Sequence, residues 1–141
     1  MRVATSISSI RPSIILFGDS ITEQSFGLNG RVGWGSLLAA EYARRADVFN
    51  RGFSGYNTRM ALDLIPSIFP SPSPSPPNYS TKRDSSDGGS SKEAENIASD
   101  GGILFCTVYF GANDAALPGE RQHVSLEEYG QNLGTIITSI R

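Results

Sequence analysis

The apolar residues of this chain alternate between two kinds of block. Ser13–Phe17 carries Ile14, Ile15, Leu16 and Phe17 without interruption. A continuous apolar run of that length marks a strand buried on both faces, as in the interior of a parallel sheet. From Trp34 to about Arg45, Trp34, Leu37, Leu38 and Tyr42 recur at helical spacing, while Glu41, Arg44 and Arg45 fall on the wet side. Val48-Phe49-Asn50 reads as a short second strand, ended by Gly52 and Gly55. A helix then begins near Thr58, taken as its N-cap, and buries Leu62, Ile65 and Phe69, with Pro66 and Pro70 limiting its length. The third strand is Ile103–Phe110. In the last helix Ser125 and Glu128 form a capping box and Val124 staples against Tyr129. Leu126, Tyr129, Leu133, Ile136, Ile137 and Ile140 share one face of it.

Strand and helix alternate three times, which predicts an α/β fold: a parallel three-strand sheet flanked by helices and joined by right-handed crossovers. Ligands of such sheets bind beyond the carboxyl ends of the strands.

Residues 71–102 break the alternation. They run Ser-Pro-Ser-Pro-Ser-Pro-Pro and then a Ser/Asp/Gly/Lys/Glu mixture, with Tyr79 and Ile97 as the large apolar side chains. Such a segment buries too little surface to offset its ordering entropy, so a disordered, low-complexity insertion is expected. A proline-rich docking site and translated non-coding sequence are the other readings of it. Three of the twelve basic residues and five of the fourteen acidic ones fall there, leaving the remainder balanced at nine of each. No basic stripe exists, which argues against nucleic acid as a partner.

Candidate chemistry sits where the strands end. Phe17-Gly18-Asp19-Ser20 follows the first strand, Asn50-Arg51-Gly52-Phe53-Ser54-Gly55 the second, and Phe110-Gly111-Ala112-Asn113-Asp114 the third. A serine at a strand-to-helix turn exposes its hydroxyl, a glycine lets backbone approach a substrate closely, and a carboxamide offers two N–H donors. Together they supply a nucleophile and the donors of an oxyanion hole. A serine hydrolase also needs a base, and the chain has one histidine, His123. One histidine is too few for a metallophosphoesterase, so no metal is assigned. Neither Gly-x-Gly-x-x-Gly nor a Walker loop occurs, which excludes the familiar phosphate-binding modules.

These three blocks, in this order, resemble the SGNH (GDSL-type) hydrolase family, most of all its isoamyl acetate-hydrolysing esterase-like branch of plant type. The likeness runs from about Pro12 to Phe69 and from about Thr107 to Ile140. It includes Gly33-Trp34-Gly35, Arg51 to Thr58, and Gln122-His123-Val124 before Leu126-Glu127-Glu128-Tyr129. It implies a flavodoxin-like sheet and an esterase acting on small carboxylic esters without a cofactor. Ser20 would be the nucleophile, and the Ser20 amide, Gly55 and Asn113 the oxyanion hole. The family's Asp-x-x-His block has no counterpart in these 141 residues. The chain is therefore expected to be a C-terminally shortened SGNH domain over residues 12–141, with 71–102 inserted in it. Two functions stay open: an esterase of this family, or a non-catalytic product of an esterase gene, either a binding module or an unstable fragment.

His123 is read as a loop or substrate-contacting residue just outside the last helix, because the family carries a similar Gln-His-Val beside a separate catalytic histidine. A substitute base for Ser20 is the alternative. Asp19 and Asp114 are expected to bond local backbone N–H groups at their turns. Trp34 and Tyr56 line an acyl pocket or pack in the core. Cys106, the single cysteine, lies in an apolar run and is expected to be buried and inert. No stretch approaches the roughly 20 apolar residues of a membrane span. Met1–Arg11 has two arginines, several serines and no acid, as organelle transit peptides do, but is short and lacks the apolar core of a secretory signal; the expected location is the cytoplasm, with organelle targeting as the alternative. Ile103–Phe110 contains eight residues and no charge, and its outer edge is expected to mediate self-association.

Overall fold

The computed structural model describes residues 11–69 and 102–140. In chain order the elements are β1 (Ser13–Gly18), a one-turn helix α1 (Ser20–Glu23) with a 3₁₀ turn (Gln24–Phe26), the short strands β2 (Gly27–Leu28) and β3 (Arg31–Val32), α2 (Trp34–Glu41), β4 (Asp47–Gly52), α3 (Thr58–Ile68), β5 (Ile103–Tyr109) and α4 (Leu126–Ser139). β1 is the central strand of a three-stranded parallel sheet ordered β4-β1-β5. This is the α/β architecture that the alternation of apolar blocks predicts.

The uninterrupted apolar run of β1 follows from its position. Ile14 and Leu16 point to one side, where they meet Ala46, Leu38, Tyr42, Val48 and Phe105. Ile15 and Phe17 point to the other, against Ala61, Ile65, Phe110 and Ile136 of α3, α4 and the loop after β5. The Phe17 ring meets Phe110 and Phe69 edge-on, with centroids 4.9 and 5.8 Å apart. Each such buried side chain is worth about 1.5–3 kcal/mol relative to exposure. β1 therefore carries both halves of the core.

Several sequence expectations need correction. α2 ends at Glu41 rather than near Arg45, and its apolar stripe is largely wet, with Trp34 44% and Leu37 65% exposed. Arg44, just beyond its end, adopts a left-handed conformation (φ 66°) that stops the helix. The N-cap of α3 is Asn57, whose Oδ1 accepts the Met60 N–H, and Thr58 is the first helical residue. Pro66 lies inside α3, which runs on to Ile68. Ser125 caps α4 as expected, but Glu128 does not complete a capping box; its carboxylate accepts from Nε and Nη2 of Arg59, each at 2.7 Å, instead. The buried face of α4 is Asn132 and Ile136 flanked by Tyr129, so Leu126 and Ile137 are left exposed. Cys106 is half-buried rather than buried.

Residues 71–101 of the low-complexity insertion lie outside the described residues; Gly102 is exposed and outside any regular element. Among the described residues no helix is long and apolar enough to cross a membrane.

Candidate active site

The three strands end level. Gly18 stands opposite Gly52 on one side and Tyr109 on the other. Ser20, Gly55 and Asn113 follow two, three and four residues after those strand ends, so all three fall at the carboxyl end of the sheet. The sequence placed them there.

Ser20 opens α1. Asp19 is the N-cap, with extended backbone, and its Oδ1 accepts the Ile21 N–H at 2.9 Å. The Asp19 N–H in turn donates to the Tyr109 carbonyl at 3.2 Å, so the turn is fixed to β5 as well as to β1. Asp19 is completely buried, in keeping with a structural carboxylate bonded to local backbone. Ser20 itself is half-buried.

Close packing explains the glycines of the first two blocks. A Cβ on Gly18 would stand 2.1 Å from Thr22 Oγ1, and one on Gly52 2.0 Å from the Glu23 backbone nitrogen. Both distances are far inside van der Waals contact, so glycine at these positions lets α1 sit against the strand ends. Asn50 completes the attachment: its Nδ2 donates to the carbonyls of Thr22 and Glu23 at 3.0 Å, and its Oδ1 accepts the Gly52 N–H at 2.8 Å. The Glu23 carboxylate accepts the Ser54 N–H at 2.5 Å. The Ser20 turn and the second block thus form one bonded unit.

The second and third blocks are joined more directly. Asn113 Nδ2 donates to the Tyr56 carbonyl at 2.7 Å. Gln122 Nε2 donates to the Gly55 carbonyl at 2.5 Å and to Asn113 Oδ1 at 3.2 Å. Gly55 holds φ +80°, a conformation that favours glycine. Asp114 departs from expectation: it bonds no local N–H but accepts the backbone N–H and hydroxyl of Thr58, 56 residues away. Neither Gln122 nor Asn50 was assigned a role from sequence. Both are uncharged amides in or beside the motif blocks, and only the tertiary structure shows what they bond.

His123, next in the chain to Gln122, bonds a different partner. Its Nδ1 lies 2.6 Å from the Ala116 carbonyl. A carbonyl only accepts, so Nδ1 is the donor in this contact. The ring lines a cavity of about 470 Å³ with Ala116, Leu117, Pro118, Leu126 and Tyr129. Trp34 borders a second cavity, of about 340 Å³, beside Ile21, Thr107, Val108 and Tyr109, while Tyr56 packs at the margin of the core against Phe53. Burial raises the Cys106 thiol to about 11, with a backbone hydrogen bond from Phe17 opposing it.

Comparison with known proteins agrees with this architecture. Residues 16–141 match the model of the GDSL-like lipase/acylhydrolase family. The chain is 44% identical over 135 residues to the GDSL esterase/lipase At5g62930 of Arabidopsis thaliana, covering 94% of this chain and 44% of that protein. It is 37% identical over 142 residues to the isoamyl acetate-hydrolyzing esterase 1 homolog of Mus musculus, covering 99% of this chain and 46% of that protein. The chain therefore spans somewhat under half the length of these relatives. Among solved structures, the SGNH-hydrolase family esterase AlinE4 superposes with a TM-score of 0.57 at 22% identity, over 92% of this chain and 53% of that one, a likeness of fold. With its matched blocks at the carboxyl ends of β1, β4 and β5, the chain belongs to the GDSL-like lipase/acylhydrolase family.

Proposed function

We propose that the site is the nucleophile and oxyanion-hole portion of a hydrolase acting on small carboxylic esters. Ser20 Oγ attacks the ester carbonyl carbon, and the carbonyl oxygen takes up the negative charge. The backbone N–H groups of Ser20 and Gly55 and one N–H of the Asn113 carboxamide donate to it. The observation that carries this reading is the direct linkage of Gly55 and Asn113 through Gln122 and Tyr56, at the sheet end where Ser20 opens α1.

Attack also requires that the Ser20 proton leave to a base within hydrogen-bond reach. The ring nitrogen of His123 that bonds protein goes to Ala116, and the ring faces a cavity walled by the loop after β5 and the start of α4. In the family resemblance the base belongs to an Asp-x-x-His block, which these 141 residues do not contain. The Ala116 contact of His123 favours a second reading, a non-catalytic product that retains an ester-binding site.

Hydrolysis of p-nitrophenyl acetate separates the two. The 141-residue chain alone is expected to give little turnover, since loss of a triad histidine costs about 10⁶ in the subtilisin case. Co-expression with a polypeptide carrying the Asp-x-x-His half of a plant relative is expected to restore activity, and Ser20→Ala to abolish it. Activity that survives Ser20→Ala would rule out the assigned nucleophile. Robust activity of the chain alone that disappears in His123→Ala would make His123 the base.

A further inference from the structure

We infer that Gln122 is a positioning residue that sets the orientation of both oxyanion donors. The inference rests on the assignment of Gly55 and Asn113 proposed above.

A carboxamide presents an acceptor on one side and two donors on the other, so an asparagine in an oxyanion hole works in only one of its two flipped orientations. Nothing intrinsic to Asn113 selects it. Two contacts do: the Tyr56 carbonyl, a pure acceptor, faces Asn113 Nδ2 at 2.7 Å, and Gln122 Nε2, a pure donor, faces Asn113 Oδ1 at 3.2 Å. In the flipped orientation two NH₂ groups would oppose each other there. With the oxygen held by Gln122, the Asn113 nitrogen points away, gives one hydrogen to Tyr56 O at 2.7 Å, and keeps the second for a ligand.

The same Nε2 donates its other hydrogen to the Gly55 carbonyl at 2.5 Å. Gly55 can rotate more freely than any other residue type, and a bond to its carbonyl restricts that freedom. The fit is close, since a Cβ on Gly55 would lie 3.3 Å from this nitrogen. Gln122 is anchored from behind as well. Its backbone carbonyl accepts Asn57 Nδ2 at 2.9 Å, and Asn57 is the buried N-cap of α3. The contact therefore runs from a helix terminus through one side chain to both donors.

Gln122→Glu and Gln122→Ala test this in two ways. In Gln122→Glu the shape is kept, but a carboxylate oxygen replaces the NH₂ that faces two acceptors. Side-chain NMR of the whole chain reads the geometry: the Asn113 Nδ2 protons are expected to be slowly exchanging in the parent and to lose that protection in both variants. Modification of Ser20 by a fluorophosphonate in the chain co-expressed with the Asp-x-x-His half of a plant relative, followed by mass spectrometry, reads the consequence. Its rate constant is expected to fall about ten- to a hundredfold in both variants, with folding unchanged by circular dichroism, because small misplacements of aligned groups carry penalties of that order. Asn113→Ala and Ser20→Ala serve as references. If they lower labelling while the Gln122 variants leave both labelling and Asn113 exchange at parent values, the inference is overturned and the site assignment stands. If Ser20→Ala leaves labelling unchanged, the site assignment itself fails. Unchanged Asn113 exchange in Gln122→Ala overturns the inference whatever the labelling rates.

Discussion

Asp114 and Thr58 are bonded across the core: Asp114 Oδ1 accepts the Thr58 N–H at 2.9 Å and its hydroxyl at 2.5 Å. Thr58 Oγ1 also accepts Asn132 Nδ2 at 3.1 Å, so the hydroxyl uses both its donor and an acceptor site. All three residues are buried. The loop that carries Asn113 is thereby fixed to the helix that follows the Gly55 loop, and to α4.

Replacing Asp114 by alanine leaves the Thr58 N–H buried without a partner. Charge-assisted bonds of this kind contribute about 1.5–3 kcal/mol, and an orphaned donor costs about 1–3 kcal/mol. Asp114→Ala is expected to lower the urea midpoint by an amount in that range, whereas Asp63→Ala on the exposed side of α3 leaves it nearly unchanged. An Asp114→Ala midpoint equal to that of Asp63→Ala would show that the bond does not support the fold.

The contrast between Asp114 and Asp19 shows what the sequence carried. Asp19 bonds the N–H two residues on, a local pattern readable from a short polar residue before a helix. Asp114 sits in a similar context yet bonds Thr58, and no local rule contains that choice. β1 was legible because four adjacent apolar residues fit only a strand covered on both sides. α2 misled for the opposite reason: its spacing is helical, but spacing does not say how much of a stripe finds a partner. The β2–β3 hairpin has a local sequence signal. Asn29-Gly30 is a strong type I′ turn pair, and both residues do take positive φ, 52° and 77°. Ser20, Gly55 and Asn113 were placed by motif; the amides that bond around them were not.

Gly52→Ala tests the docking of the Ser20 turn. The added Cβ would overlap the Glu23 backbone, which cannot swing away as a side chain tip would. Overpacking typically costs about 1–3 kcal/mol, and backbone contact places this case toward the upper end. The melting temperature is expected to drop several degrees. A parent-like melt would mean that α1 moves freely from the sheet.

Glu128 and Arg59 give a pH signature. The bidentate hydrogen bond with Arg59 lowers the Glu128 carboxyl below its usual range, against the opposing effect of desolvation. A carboxylate with a lower pKa folded than unfolded adds stability above the unfolded value, about 4.3, and loses it as pH falls through the folded value. The difference in melting temperature between parent and Glu128→Gln should be constant from pH 7 to 5 and shrink below about pH 4. A difference that grows on acidification contradicts the sign of this coupling.

Cys106 is expected to be unreactive. With its thiol raised to about 11, almost no thiolate is present at pH 8, and thiolate is the reacting species. Iodoacetamide should modify the folded chain far more slowly than the same chain in urea. Equal rates in the two conditions would mean that Cys106 is neither buried enough nor held in β5.

The two outer strands of the sheet differ in how they face solvent. β4 carries Asp47 and Arg51, charges of the kind that discourage edge pairing. β5 has none over seven residues, pairs with β1 alone among the described residues, and exposes Ile103, Leu104 and Tyr109 by 45–55%. Its unpaired backbone groups and apolar side chains form a template for another strand. A second copy of this chain offers the same edge, and two identical edges related by a two-fold axis pair antiparallel. The 141-residue chain is therefore expected to dimerise through β5, and sedimentation velocity over a hundredfold concentration range should follow the transition. Leu104→Lys places a charge on that edge and is expected to shift the equilibrium to monomer, whereas a lysine at Phe49 of β4 leaves it in place. A parent chain that stays monomeric throughout, with a sharp cooperative melt, would show that β5 is closed by some other part of the chain.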